Sequence, residues 1–472
     1  MDDVARALQD LRSRWTASTA ALRRELLTRQ AYDPDLVEHL MSGLAKAGLE
    51  DKSVLSQVSL AVPLIDVAGN SSQAYLSEGL TAEIVGELSR YSELAVMPCR
   101  SGPCATGSID VRRIGREIGA HYVLRGSLQS SPERIRLNMQ LLDGRDGRSI
   151  WADAFESTLR ARELFDLQDE LADQVVGAIA GSFGALTRAE LPGARRKPPA
   201  SLESRDCVFR AYDYLQHHNH NRATHRAARD CLESVARAEP DYVEGLAWLA
   251  YFYVEQFHHR WNDDGAYDPR ERAIRAAERA VALDDTNQLA HAYLGVAALF
   301  SGDDARGIAE IQRGVELNPN NPAVLTVGAW YLGFQGEFES ATRLAERAKR
   351  LIPNPPQFVN VPLFLECYTG GRYEQALQYT KKSLIGPGQF LEPLLRAATL
   401  GQLGRADAAV PVLAELREMW GEVCRIAGCK GLDFATLRRE MTERWTIAEP
   451  IADRLLEGLR RAGLDESGPT DL

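Results

Sequence analysis

Along the chain the spacing of apolar residues changes character twice. In residues 1–50 apolar side chains recur three and four apart (Val4, Leu8, Leu11, Trp15, then Leu22 and Leu26), and a last helix opened by Pro34 stops at Gly48. From Val58 the pattern alternates: VSLAVPLIDVA predicts a strand, and GNSSQAY links it to a helix whose Leu80, Ile84, Val85 and Leu88 share a face. ELAVMP (93–98) predicts a second strand and IDVRRIGREIGA a second helix closed by Gly119. Three strands follow, HYVLRGSLQ, RIRLNMQLLD and SIWADAFES, with SSPE and GRDG as hairpin turns. In the middle strand Ile135, Leu137, Met139 and Leu141 face one way and Arg136, Asn138 and Gln140 the other, as in a half-buried antiparallel sheet. LFDLQDELADQVVGAIAGSFGAL (164–186) predicts a long amphipathic helix covering that sheet.

Residues 191–205, around PGARRKPPASLESR, are rich in Pro and basic residues and read as a linker. Beyond it the pattern is helical to the end and it repeats. Pro319 and Pro353 stand 34 residues apart, the period of the tetratricopeptide repeat. That register places Leu294 and Gly295 in a unit at 288–321, and Gly328, Ala341, Ala345 and Ala348 in a unit at 322–355. Small residues there let paired helices approach closely, and each Pro ends a second helix. Pro240 marks an earlier unit at 209–242. The unit at 243–287 is lengthened by the insert FHHRWNDDGAYDPRE, and weaker units follow near 357–389 and 390–420.

The two ends of the chain also match each other. Residues 21–50 align without a gap to 436–465, with 11 of 30 positions identical, and Trp15 falls opposite Trp420 in the segment upstream. The C-terminal copy, within a cap and tail at 421–472, has the polar terminal role a solenoid needs. Three readings stay open for the N-terminal copy. It is a cap on the neighbouring domain, a remnant of a fused or split gene, or an element that replaces the C-terminal cap of a second molecule and so drives self-association.

Composition narrows the function. Hydrophobic residues make up 45% and the net charge is −11, which argues against nucleic acid or an anionic membrane as a general partner. No apolar run reaches membrane-spanning length, and the acidic start MDDVARALQDL is unlike a secretory signal, so the expected location is cytoplasmic. Seven scattered cysteines are then expected as reduced, inert thiols, including the pairs in CRSGPC (99–104) and CRIAGC (424–429).

Catalytic and metal signals are weak. His217, His218, His220 and His225 in HHNHNRATH have partly helical spacing, but the repeat register puts an inter-helix turn there and no Cys or carboxylate completes a set. No Gly-rich phosphate loop or nucleophile elbow follows a strand. No catalytic residue, metal or cofactor is therefore assigned. The aromatic residues Tyr251, Tyr253, Phe257 and Trp261, in and beside the insert, are the candidate partner-binding residues; the alternative is that they simply cover a long inter-helix loop.

Residues 54–190 resemble the TolB N-terminal-like, or FlgO-like, domain, through SLAVPLIDVAGNSSQAYLSEGLTAEIVGELSR, IDVRRIGREIGAHYVLRGSLQ, RIRLNMQLLDGRDGRSIWADAFES and LFDLQDELADQVVGAI. The sequence departs from that family at VPLIDV, where a Pro-Phe pair is usual, and at MPCRSGPCATGS. The resemblance implies an output module ahead of the domain, commonly a class III adenylate cyclase catalytic domain or a winged helix, and residues 1–50 carry the signature of neither. The sequence thus predicts an α+β N-terminal domain, a mixed sheet with covering helices, followed by an all-α tetratricopeptide solenoid over 206–420. The expected function is noncatalytic: binding of a protein partner, with first-helix positions of 288–321 and 322–355 lining the groove. The alternatives are a cyclase-related signalling protein without its own catalytic domain, and a transcriptional regulator without its own DNA-binding domain.

Overall fold

A computed structural model of the chain describes most of residues 57–464; the main gaps are 68–73, 105–109, 159–163, 198–201, 217–220, 262–264, 381–389 and 428–431. Of the first 56 residues only Leu40, Gly43 and Leu44 are described, so the expectations for the N-terminal copy lie almost wholly outside the described residues.

The α+β domain carries β1 (Val58–Pro63), β2 (Asp66–Val67), α1 (Ala74–Leu88), β3 (Leu94–Cys99), α2 (Val111–Ile118), β4 (Tyr122–Ser130), β5 (Arg134–Asp143), β6 (Ser149–Thr158) and α3 (Leu164–Ile179). The sheet runs β3-β1-β4-β5-β6 and is mixed: β1 is parallel to β3 and β4, the β4-β5-β6 hairpins are antiparallel, and β2 pairs with β4. Period-two alternation decides what lies beneath each helix. Val58, Leu60 and Val62, with Ile135, Leu137, Met139 and Leu141 of β5, pack into the core that also holds residues of α1 and α3, while Ala61 and Val123 meet Ile114 of α2 in a separate cluster. Asp110 caps α2 through bonds from the Arg112 and Arg113 amides, and Gly119 ends it in the left-handed region at φ 75°, a conformation that suits glycine.

The remaining helices come in antiparallel pairs. After α4 (Ala185–Arg196) stand α5 (Ser204–Gln216) and α6 (Arg222–Ala238), α7 (Val243–His259) and α8 (Pro269–Leu283), α9 (Gln288–Phe300) and α10 (Asp304–Leu317), and α11 (Pro322–Phe334) and α12 (Phe338–Leu351). Next come α13 (Val361–Thr369) and α14 (Tyr373–Tyr379), α15 (Leu391–Gln402) and α16 (Ala406–Ala427), α17 (Phe434–Arg439), a π-helical turn at Glu440–Arg444, and α18 (Glu449–Arg461). The stretch read as a linker is helical as far as Arg196, with Leu191 and Ala194 buried. Small residues set the pair spacing: a Cβ on Gly295 would lie 2.6 Å from the Gly307 carbonyl oxygen, and one on Gly314 2.7 Å from that of Gln288.

The cysteine expectation is corrected. Cys99 and Cys104 form a disulfide, as do Cys207 of α5 and Cys231 of α6, and Cys424 is also disulfide-bonded; Cys367 is free and buried. The tight turn through 102–104 and the antiparallel α5–α6 pair bring the Cα atoms to 5.7 and 5.6 Å, inside bridging distance. Thiol spacing in the sequence carries no trace of that approach.

Candidate partner-binding wall

First helices of successive units, α7, α9, α11 and α13, stand side by side as the inner wall of the solenoid. They are not amphipathic. Every residue of α9 is buried, as is every residue of α11 except Trp330, whereas α8 buries only Pro269, Ala273, Ala277 and Ala280. A helix apolar on all sides needs cover on all sides. The second helices cover one face of this wall, and other parts of the same chain cover the inner face.

At one end the α+β domain meets the loop leading into α11, the second helix α12 and the start of α7, with a polar network set in the shared core. The Tyr91 hydroxyl donates to the Asn320 carbonyl at 2.8 Å, and the Asn320 amide donates to Glu87 at 2.8 Å and also to Asp173. Arg347 of α12 donates to Asp173 at 3.0 Å and to the Pro319 carbonyl at 2.8 Å. Deeper in, the Tyr212 hydroxyl lies 3.3 Å from an oxygen of each of Glu93 and Glu244. Burial, then the charge of Glu244, push Glu93 from the ordinary 4.5 up to about 8. Close approach here depends on glycine: a Cβ on Gly177 would sit 2.9 Å from the Leu351 carbonyl oxygen.

At the other end residues 440–448 lie on the wall, anchored by an aromatic residue. Trp445, 5% exposed, has its ring centroid 4.4 Å from His258, 5.7 Å from Phe390 and 6.3 Å from each of Trp330 and Phe334. Glu440 takes both arms of the Arg260 guanidinium, and Arg444 lies over the Phe257 ring at 3.8 Å while donating to the Phe257 carbonyl. Two hydrogen bonds to the segment's main chain close the contact: the Gln335 side-chain amide donates to the Thr446 carbonyl at 2.7 Å, and the Ala448 amide donates to the Phe334 carbonyl at 2.9 Å. Thr446 sits at φ 51°, a costly conformation for a β-branched residue. Beyond it α18 packs on α15 so tightly that a Cβ on Gly401 would lie 1.9 Å from the Gly458 carbonyl oxygen.

The four aromatic residues singled out in the sequence do not form one open strip. Tyr251 is 7% exposed between Trp248 and Tyr293, and Tyr253, 6% exposed, donates to Glu233 at 2.9 Å. Phe257 lies between the guanidiniums of Arg270 and Arg444, and Trp261 stacks on His259. Of the four, Phe257 meets the 440–448 segment, through Arg444. Asn262, Asp263 and Asp264 of the insert, like His217, His218 and His220, lie outside the described residues, and His225 is fully buried, its Nε2 2.9 Å from the Phe252 carbonyl oxygen.

Glu255, His258 and His259 bring three potential metal donors within 4.8 Å of one another. The two imidazoles, however, stack with an interplanar angle of 7°, so no single ion lies in both ring planes. Instead Glu255 accepts from the Tyr214 hydroxyl at 2.9 Å and faces His259 Nε2 at 3.4 Å. Burial pushes His258 down to about 4, leaving it a neutral ring against Trp445.

Sequence reasoning did not find Glu440, Arg444 or Trp445. A signal was present: QLAHAYLGVAALF and PAVLTVGAWYLGF have no polar face, which requires an occupant on the inner side.

No protein-family model matches the chain. A curated relative, "Putative adenylate cyclase 3" of Rhizobium meliloti, is 29% identical over 241 residues, 51% of this chain; the chain spans 40% of that protein's length. Similar solved structures include a tetratricopeptide repeat protein of Thermus thermophilus, 16% identical over 46% of this chain and 94% of that one, with a TM-score of 0.29. A tetratricopeptide repeat protein of Parabacteroides merdae is 12% identical over 55% and 99% of the two chains, with a TM-score of 0.32. TolB of Acinetobacter baumannii is 15% identical over 27% and 30%, with a TM-score of 0.20.

Proposed function

We propose that the chain is a noncatalytic interaction protein whose partner reaches the inner wall of the solenoid where residues 440–448 now lie. The observation that carries this reading is the chemistry of that contact. One buried aromatic anchor, one bidentate ion pair, one cation–π contact and two hydrogen bonds to the segment's main chain, on a preformed helical wall, are the means by which peptides are recognised. In this structure the wall holds a segment of its own chain. The test uses a labelled peptide, LRREMTERWTIAE (437–449), added to intact protein and to the Trp445→Ala and Glu440→Ala variants. The variants should take up the peptide in trans and the wild type should not. Folded variants that ignore the peptide would make the wall a fixed core and end the proposal.

A signalling role beside a cyclase is the second reading, favoured by the match to a protein named as a putative adenylate cyclase. On this reading the chain forms no cyclic AMP from Mg-ATP by itself, and it changes the output of a separate cyclase domain. Self-association rests on the terminal copy: Leu40 is 43% exposed, while its counterpart Leu455 is fully buried in the cap. Light scattering on the intact chain tests it, a strictly monomeric protein being the adverse result. The disulfides favour an oxidising compartment over the cytoplasm. Thiol titration of protein trapped directly from cells separates the two, free thiols supporting the cytoplasm.

A further inference from the structure

Where the sheet meets the first helices beyond it, the β5–β6 hairpin, the start of β4 and α4 enclose a cavity of about 670 Å³. That size falls in the ~300–1,000 Å³ range of small-molecule sites. Five arginines line it, Arg145, Arg148, Arg188, Arg196 and Arg205, against two carboxylates. In a chain of net charge −11 this is a sharp local inversion.

Both carboxylates are already engaged. Asp143, 2% exposed, takes two bonds from Arg145 at 3.0 and 2.7 Å, which hold it below its ordinary value, and Glu190 accepts the Tyr122 hydroxyl at 2.6 Å. Arg148, Arg188 and Arg196 form no ion pair among the described residues, and the buried Nε of Arg205 makes no hydrogen bond although Glu203 stands 3.3 Å away. Burial and then Arg205 hold His121 below its ordinary value, which favours its neutral form, and its Nδ1 lies 2.6 Å from Ser59 Oγ. Like charges gathered in excess of their counter-charges repel, and an anion placed among them relieves that repulsion. Arg188 gives one donor to the Phe183 carbonyl; the donors left on it, with those of Arg148 and Arg196, still outnumber what the two oxygens of one carboxylate accept, which favours phosphate. Ile150 and Trp151 supply an apolar flank.

We infer that this cavity binds a small phosphorylated ligand, its phosphate oxygens held by Arg148, Arg188 and Arg196 and its remainder laid along Trp151. The hairpin belongs to the α+β domain, whereas Arg205 stands on α5, the opening helix of the solenoid, so the ligand touches both parts of the molecule. The inference is independent of the partner-binding reading, and either can fail alone.

Calorimetric titration of the intact protein with ATP, inorganic pyrophosphate and adenosine tests it. The phosphate compounds should bind one to one, more weakly as salt rises, and adenosine should not bind. Arg148→Gln with Arg188→Gln, both exposed at the rim, should weaken phosphate binding by about tenfold or more. Arg116→Gln with Arg134→Gln, the same charge change outside the cavity, should leave binding unchanged. Trp151→Ala weakening ATP but not pyrophosphate assigns a nucleotide; equal binding of both, insensitive to Trp151, assigns a free phosphate compound. Two results overturn the inference: a folded wild type that binds neither phosphate compound, or rim and control variants that bind alike. Arg196→Gln serves as a second variant should the double one melt early.

Discussion

The solenoid is covered at both ends of its first helices by its own chain, and the two covers differ in chemistry: an aromatic anchor stands at one, a polar network at the other. The α+β domain meets it through carboxylates, an amide and Arg347, whereas residues 440–448 add to an ion pair and a cation–π contact one buried indole. A polar contact of this kind depends on protonation and on every member being satisfied. An aromatic anchor concentrates its energy in one side chain and responds little to pH. The C-terminal cover is therefore expected to fail chiefly with its indole, and the N-terminal cover to respond to protonation.

The sharpest way to break this contrast is Trp445→Ala. Removing a buried indole costs about 3–5 kcal/mol, and the denaturation midpoint should fall accordingly; a loss under about 1 kcal/mol would mean that the segment is not anchored there. At the other end Arg347→Ala strips donors from Asp173, Asn320 and Pro319 together. Both members of the ion pair are partly exposed, so the expected cost is smaller, about 1–3 kcal/mol, read in the same denaturation assay.

The N-terminal cover should also respond to pH. Glu93 is raised from 4.5 to about 8, so the folded state keeps a proton that the unfolded chain has released. Its contribution is complete below 4.5 and is lost as pH climbs to about 8. Thermal melts across that window should show falling stability, and Glu93→Gln should flatten the slope. The smallest effect expected is from Thr446→Gly, which relieves the left-handed strain at φ 51° and should stabilise the C-terminal cover by up to about 1 kcal/mol. A lower melting temperature for that variant would show that the threonine side chain matters more than its backbone.

Much of the fold was legible because its signals are local. Alternation of Ile135, Leu137, Met139 and Leu141 fixes which face of β5 is buried, and the recurring prolines and small residues fix the helix pairs. The candidate sites were much less so. Arg260 meets Glu440 across 180 residues, and Arg205 joins an arginine cluster drawn from the β5–β6 turn and α4. Tyr251 and Tyr253 carry the same aromatic signal whether they line a groove or fill a core, so their role cannot be read from composition.

By itself the sequence determined the periods, the caps and the turns, and through them an α+β domain followed by paired helices, because each rests on residues a few positions apart. Only the tertiary structure decided what fills the inner wall, which cysteines meet and where five arginines converge. Those outcomes depend on distances between segments far apart in the chain, and they are set by how much apolar surface and how many buried polar groups can be satisfied at once.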